Sequence, residues 1–271
     1  MNDHPSNPSE LALFLYSLPM RQADRFSVIL EDLSDGGSVS VTELCRRLGV
    51  SAATIRRDLG LLEENRLLKR THGGAVSQGL LYELPLRYKS GRHQEEKRRI
   101  AHAVAELVPD GAAIGLTGGT TTTEVARALV GREQLTIVTN ALNIASELAV
   151  RPNLRLVVTG GVARSASYEL VGPLAEASLR EINLDMAILG VDGISVGAGL
   201  TTHHEVEAHT NLALIDRARR VVVVTDGSKI GQAAFARICA IERVHDLITD
   251  TGAPAEELAE IAAAGVAITA V

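Results

Sequence analysis

The sequence contains no tryptophan, and aromatic residues make up only 3% of its 271 positions. A platform of stacked rings for single-stranded nucleic acid or RNA therefore has almost no material to be built from. Cysteine is nearly missing too. Cys45 and Cys239 cannot form a disulfide framework or a cysteine-rich zinc site, and both sit in apolar periodic segments that make them reduced core residues. No apolar run reaches the ~20 residues that cross a bilayer. The apolar stretch from Leu11 to Leu18 follows Asp3 and Glu10 rather than a cationic segment, and no Ala-x-Ala cleavage site comes after it. The expectation is a soluble, cytoplasmic protein with no membrane partner. Net positive charge is also lacking, since the chain carries −6.

What is present is a globular composition, with 46% hydrophobic and 22% charged residues, which excludes wholesale disorder. The length suits two domains of ~100–150 residues, each with an aliphatic core. Charge is unevenly spread. From Leu44 to Val76 there are seven basic residues (Arg46, Arg47, Arg56, Arg57, Arg66, Lys69, Arg70) against three acidic ones. From Gly91 onward there are 16 basic and 22 acidic residues. A basic block on an acidic chain points to a module that faces nucleic acid, joined to something else.

Hydrophobic periodicity divides the chain further. Residues 1–20 read as a loose tail, 21–77 as a first domain, 78–93 as an irregular linker around Pro85, and 94–271 as a second domain. In the first domain, a helix from Arg21 presents Phe26, Ile29, Leu30 and Leu33 on one face. Thr42 is placed to cap a second helix and Ser51 a third, whose core face is Ile55, Leu59 and Leu62. Asn65 suits a left-handed end to that helix. A hairpin turning at His72-Gly73-Gly74 follows. This is a winged helix-turn-helix pattern. It leaves Ala52, Ala53, Thr54, Arg56 and Arg57 free for a major groove, and Lys69, Arg70, His72, Gly73 and Gly74 for backbone phosphates or a minor groove, with the capping Thr42 and Ser51 as further candidate DNA contacts. The competing reading makes Arg56 and Arg57 a solvated face partnered by Asp58. Their place at the start of a capped helix beside a basic hairpin favours double-stranded DNA.

The second domain alternates seven apolar strands (113–117, 135–139, 154–159, 186–189, 221–225, 246–249 and 266–270) with amphipathic helices. That predicts an α/β fold with a mostly parallel sheet covered on both faces. Gly118-Gly119-Thr120-Thr121-Thr122 follows the first strand and opens a helix. Exposed backbone N–H groups at a helix N-terminus, with threonine hydroxyls beside them, can cradle a phosphate. The same residues also suit a plain strand-to-helix turn. No Gly-Lys-Ser/Thr follows, and the G-x-G-x-x-G spacing is missing, so neither a P-loop nor a dinucleotide site is indicated. Further polar residues fall at strand ends: Thr139, Asn140, Gly161, Asp192, Gly193 and Lys229. In open parallel sheets ligands bind at that edge. His203, His204, Glu205 and His209 do not make a metal site, because the H-E-x-x-H spacing would need a histidine where Ala208 stands. Neither a metal nor a cofactor is expected.

Two stretches carry a resemblance. Val41-Thr42-Glu43-Leu44, the run Thr54-Ile55-Arg56-Arg57-Asp58-Leu59, and His72-Gly73-Gly74-Ala75 resemble the DNA-binding domain of the DeoR family of bacterial transcriptional regulators. Glu95-Glu96-Lys97, Gly119-Thr120-Thr121, Val171-Gly172-Pro173, Gly190-Val191-Asp192-Gly193 and Asp226-Gly227-Ser228-Lys229 resemble that family's effector domain, which is similar in fold to ribose-5-phosphate isomerase. The resemblance implies a repressor of carbohydrate-catabolism genes. It would work as a homo-oligomer, dimer or tetramer, on operator DNA and be released by a phosphorylated sugar or sugar derivative. Thr117 stands where the family commonly has an aspartate. The alternative is a sugar-phosphate isomerase-like enzyme with an appended DNA-binding module. Glu205 matches the isomerase's basic glutamate, but the stretch Asp192 to Gly199 has one acid and no lysine, so catalysis is not expected.

Overall fold

The structure, a computed structural model, describes residues 20–65, 67–77 and 83–271. Residues 1–19 of the expected tail, Arg66, and residues 78–82 lie outside it. The chain divides into two units between Gln78 and Gly79.

The first unit contains α1 (Gln22–Gly36), β1 (Ser38–Ser40), α2 (Val41–Leu48), α3 (Ala52–Glu64), β2 (Lys69–Arg70) and β3 (Gly74–Val76). The strands form one antiparallel sheet in the order β1-β3-β2. Ile29, Leu30, Leu33, Leu44, Leu48, Ile55, Leu59 and Leu62 are buried, so the three helices meet on the faces their periodicity indicates. Two local expectations need correction. The cap of α2 is Ser40, whose Oγ accepts the Glu43 N–H at 3.1 Å; Thr42 lies inside the first turn. The helix starts earlier because β1 ends on a residue that caps equally well. Asn65 has φ −82°, not a left-handed value, and its side-chain amide donates to the Leu61 carbonyl at 2.7 Å. A side-chain bond thus satisfies a carbonyl that a left-handed turn would otherwise have served. Gly74 is required by packing, since a Cβ there would lie 1.8 Å from the Val39 carbonyl oxygen.

The second unit is built on seven strands: β4 (Ala113–Leu116), β5 (Thr136–Thr139), β6 (Arg155–Val158), β9 (Leu184–Leu189), β12 (Ala218–Val224), β14 (Asp246–Thr249) and β15 (Ala267–Ala270). They lie in the order β15-β14-β12-β9-β4-β5-β6, and every pairing is parallel. Both faces are covered. Helices α5 (Gln94–Leu107), α6 (Thr120–Ala128) and α7 (Leu142–Leu148) pack with Ile114, Leu116, Val222 and Val224. Helices α8 (Pro173–Arg180), α9 (Glu205–Ile215) and α10 (Ala255–Ala263) pack on the opposite face with Ala187, Leu189, Val221 and Val223. Successive residues of β12 thus enter two different cores, which is why the strand reads as a continuous apolar run. Two smaller sheets flank the main one. One joins β10 (Gly193–Ser195), β11 (Gly199–Thr202) and β13 (Ala236–Cys239); the other pairs β7 (Val162–Ala163) with β8 (Leu170–Val171).

The expected linker is partly a component of this second unit. Residues 86–89 form a short helix, α4 (Leu86–Lys89), with Pro85 at its N-cap. The Leu86 N–H donates to the Ala166 carbonyl at 2.7 Å, Arg164 pairs with Glu83 at 2.6 Å, and Lys89 pairs with Asp192 at 2.9 Å. Proline fits a helix start, where no amide hydrogen is needed, so it marks the beginning of structure here rather than a break.

Candidate functional site

The first unit presents a cationic face. Ser51 Oγ accepts the Thr54 N–H at 3.2 Å and fixes the start of α3. Ile55 and Leu59 then face the core, which turns Arg56 and Arg57 outward; both are exposed. Asp58 is not their partner. Its carboxylate is buried and takes Arg25 through two bonds, of 2.6 and 3.2 Å, together with the Gln22 amide at 3.1 Å. Neither Arg56 nor Arg57 forms an ion pair with a described residue. Lys69, Arg70, His72 and Gly73 are exposed on the wing. Ala53 is exposed, Ala52 and Thr54 are half-buried, and Gly74 is buried under Val39.

The second unit contains a pocket where the strand order reverses. The chain runs outward from β4 through β5 to β6, then returns to place β9 on the other side of β4. The loops after β4 and β9 part there and leave a crevice. Gly118 to Thr121 line one side; Gly190 and Asp192 line the other. The two loops approach closely, since a Cβ on Gly190 would be 3.3 Å from the Gly118 carbonyl oxygen. Thr117 ties them together: its Oγ1 accepts the Gly190 N–H at 3.2 Å. It is buried. Gly119 has φ +132°, a conformation that side chains rarely adopt, and α6 starts on the next residue. The first amides of α6 have no intrahelical acceptor and carry the positive end of its dipole.

Of the residues singled out in the sequence, Gly118, Gly119, Thr120, Thr121, Asp192 and Lys229 line this pocket. The others are placed elsewhere. Thr122 is fully buried and donates to the Gly119 carbonyl at 3.1 Å; Thr139 does the same to Leu116 at 2.8 Å. Asn140 is one layer back, donating to Glu169 at 3.3 Å. Gly161 packs on Val171, and Gly193 packs on Gln232, where a Cβ would be 2.5 Å from its carbonyl oxygen. Glu205 is in the first turn of α9 with 60% of its side chain exposed, outside the pocket. The glutamate that α9 does supply is Glu207.

The pocket holds charged residues that the sequence did not single out: Glu83, Lys89, Glu169, Glu207 and Asp226. Burial pushes the Lys89 ammonium down, but Asp192, Glu83 and Glu207 around it leave it above its ordinary value. Burial raises Asp192, yet Lys89, His203 and Lys229 hold it well below the usual carboxylate range. Lys229 is lowered by burial and by the nearby Lys89. Behind it, burial brings Lys97 down to about 8 despite Asp226. Glu169 accepts the Gly118 N–H at 2.7 Å, and burial, with Glu207 beside it, raises its carboxyl well above the ordinary range. Arg164 bridges Glu207 and Glu83. No group of three or more potential metal ligands occurs among the described residues, and no described helix is long and apolar enough to cross a membrane.

Comparison with known proteins agrees with the two-part architecture. Residues 25–79 match the model of the DeoR-like helix-turn-helix domain, and residues 92–251 match the DeoR C-terminal sensor domain. The chain is 36% identical over 249 residues to a putative aga operon transcriptional repressor of Escherichia coli O157:H7, covering 91% of this chain and 93% of the relative. It is 37% identical over 235 residues to the glycerol-3-phosphate regulon repressor of Escherichia coli K12, covering 87% and 93%. Among solved structures, ribose 5-phosphate isomerase A of Methanocaldococcus jannaschii overlaps 51% of this chain and 54% of its own, at 22% identity and a TM-score of 0.38. That overlap is too slight to bear on function. The two family domains, in order and over most of the length, place this chain in the DeoR family of helix-turn-helix transcriptional regulators.

Proposed function

We propose that the protein is a repressor of carbohydrate genes. Its winged helix binds double-stranded operator DNA, and its C-terminal pocket takes a phosphorylated sugar or sugar derivative that lowers operator affinity. The carrying observation is the pocket at the β4/β9 divergence, where Gly119 to Thr121 offer backbone amides at a helix N-terminus and Lys229 stands on the same cavity. Phosphate suits that cradle because it accepts several N–H donors at once and is attracted by the helix dipole. The chain acts as a cytoplasmic homo-oligomer, so that paired winged helices meet paired half-sites. Ligand binding shifts the population toward a form with weaker DNA affinity. The pocket senses and does not turn over its ligand. The glutamate matched to an isomerase base, Glu205, is exposed outside it, which supports that reading.

Thr120→Asp tests the assignment. The new carboxylate occupies the place of the ligand's anion, and like charges in a partly dry site repel by several kcal/mol. The variant should bind an operator selected from random duplexes as the wild type does, yet stay bound when sugar phosphate is added. Lys229→Ala should give a milder form of this defect. Release of the Thr120→Asp variant at the wild-type ligand concentration overturns the reading. Turnover of a sugar phosphate by the wild type overturns its non-catalytic part.

A further inference from the structure

The segment that follows the boundary between the units is part of the pocket wall. Glu83, Leu86 and Lys89 line the cavity. Glu83 is also the first described residue after 78–82, through which the chain continues to the winged helix. The anchoring of residues 83–92 therefore fixes where the tether to the first unit begins.

Polar contacts, more than apolar burial, hold this segment. Leu84 is buried, but no residue of α4 is. A single helical turn is unstable by itself. Glu83 pairs with Arg164 at 2.6 Å, and Lys89 with Asp192 at 2.9 Å. The Leu86 N–H donates to the Ala166 carbonyl at 2.7 Å. Lys97, from α5, donates to the Arg92 and Lys89 carbonyls at 2.5 and 3.3 Å. An element tied down in this way, with little buried apolar surface, lies at the low end of local stability and opens at small cost.

Two of those ties face the cavity, so its contents bear on them. Lys89 and Asp192 are both wall residues, and Arg164 holds Glu83 together with a third wall residue, Glu207. An ammonium has three donors, so Lys89 can keep Asp192 and take an anion as well. Lys89 also disfavours the charge on Lys229. A phosphate held by Lys229 and the start of α6 offsets that repulsion. An anion in the cavity thus strengthens the hold on Lys89, and with it the hold on α4.

We propose that residues 83–92 form a strap with a fastened and a loose state that carries the signal between pocket and DNA: an anionic ligand fastens it through Lys89, and the fastened strap lowers operator affinity. This rests on the effector-site assignment above and adds the route by which occupation of that site reaches the winged helix. Such coupling is reciprocal. If the fastened strap disfavours DNA, then DNA must loosen the strap.

Hydrogen exchange on the full-length protein tests the proposal at two places, the cradle amides of residues 120–123 and the strap amides of residues 86–92. The protein is measured alone, with inorganic phosphate against chloride of equal ionic strength, and with an operator duplex selected from random sequences. In the wild type, phosphate should slow exchange severalfold at both places, and operator should speed it severalfold in the strap. In Lys89→Met the strap should exchange faster from the outset. At phosphate concentrations that saturate protection of its cradle, its strap should show no slowing, and operator should add little. Wild-type exchange in the seven-stranded sheet of this variant shows that its fold is intact. Phosphate protection of the wild-type cradle without the strap overturns the strap and leaves the phosphate assignment standing. Strap exchange that operator leaves unchanged or slows overturns the transmission role, as does full phosphate slowing of the strap in Lys89→Met. Absence of protection at both places, together with a normal inducer response in Thr120→Asp, overturns the cradle assignment and the strap with it.

Discussion

The two units use charge in opposite ways. In the winged helix, Arg56, Arg57 and Lys69 are exposed and without ion-pair partners among the described residues, whereas a buried charge pair there, Arg25 with Asp58, holds helices together. In the sensor unit the pattern is inverted. Some of its surface charges are paired, as Arg127 is with Glu124 and Glu147, and several carboxyls and cations crowd together around one cavity. Exposed, unpaired cations have long reach and low discrimination, which suits a polyanion whose backbone charge is uniform. Buried, crowded charges act over a few ångströms and reward only a ligand of matching charge pattern. On the proposed reading, one chain carries a long-range electrostatic surface for DNA and a short-range one for a small molecule.

The comparison breaks first if the exposed cations do not serve DNA. Replacing Arg56 and Arg57 with Ala removes two contacts worth about 1–3 kcal/mol each if bidentate to a base. Operator affinity should fall by orders of magnitude, with melting temperature and ligand binding unchanged. A mobility shift equal to that of the wild type would show that these arginines are only a solvated face.

Asp58, the next residue along, should behave in the opposite way. It is one of the few charges of the first unit that face inward, and its side chain is 1% exposed. Asp58→Ala leaves the Arg25 guanidinium buried without its partner, which costs about 3–5 kcal/mol. Hydrogen exchange on the full-length protein should accelerate throughout α1 and α3 and stay at the wild-type rate in the seven-stranded sheet. Unchanged exchange in α1 would mean that the pair contributes little to docking that helix. With the expected acceleration, adjacent positions in one helix turn affect different properties: 56 and 57 affinity, 58 stability.

A pH experiment sharpens the other half of the comparison. The Glu169 carboxyl is raised by burial and by Glu207; the Gly118 N–H and Asn140 amide oppose this, and Arg164 holds Glu207 from behind. Its folded pKa exceeds the unfolded value of about 4.3, so the folded state binds the proton more tightly. The stability from this group is present below that value and is lost as pH climbs toward the folded pKa. Asp192 is lowered and behaves conversely: its contribution is present above about pH 3.9 and fades as pH falls below it. Denaturant unfolding of the sensor unit should therefore show a downward slope above pH 4.3 that Glu169→Gln flattens. Identical slopes in both proteins would remove Glu169 as the source.

Much of this architecture was legible in the sequence, for identifiable reasons. All seven strands of the parallel sheet coincide with apolar runs; the central strands β9, β12 and β14 are buried on both faces, whereas the edge strands β6 and β15 are largely exposed. The strands β10, β11 and β13 were not legible. Segments such as Gly199–Thr202 are short and rich in glycine and threonine, and they show no alternation. The glycine loop could be read because small residues at a strand-to-helix turn follow a local rule. The pocket carboxyls could not, since Glu83, Glu169 and Glu207 come from three separate places and meet only in the fold. Glu207 did leave a trace. It falls in phase with Ala208, Asn211, Leu214 and Ile215, the buried face of α9, whereas Glu205 falls on the exposed side. A carboxylate on the apolar phase of a helix indicates a buried site better than one matched by distant analogy.

The smallest expected effect lies on the wing, and it tests whether the DNA half works by charge alone. Lys69 is exposed on β2, paired in register with Val76 of β3, and far from the core. If it meets a backbone phosphate, it carries no sequence information, and Lys69→Ala should weaken operator and random duplexes by the same modest factor. Neutralising a phosphate releases its condensed counterions, so log affinity falls with log salt at a slope of about −0.9 per contact. The wild type should show a steep dependence, and the variant a slope shallower by about one contact. The two proteins would then differ visibly at low salt and converge as salt rises. A variant that loses discrimination between operator and random duplex while keeping the wild-type slope would instead place Lys69 on a base edge, and the wing would share the reading of sequence with α3.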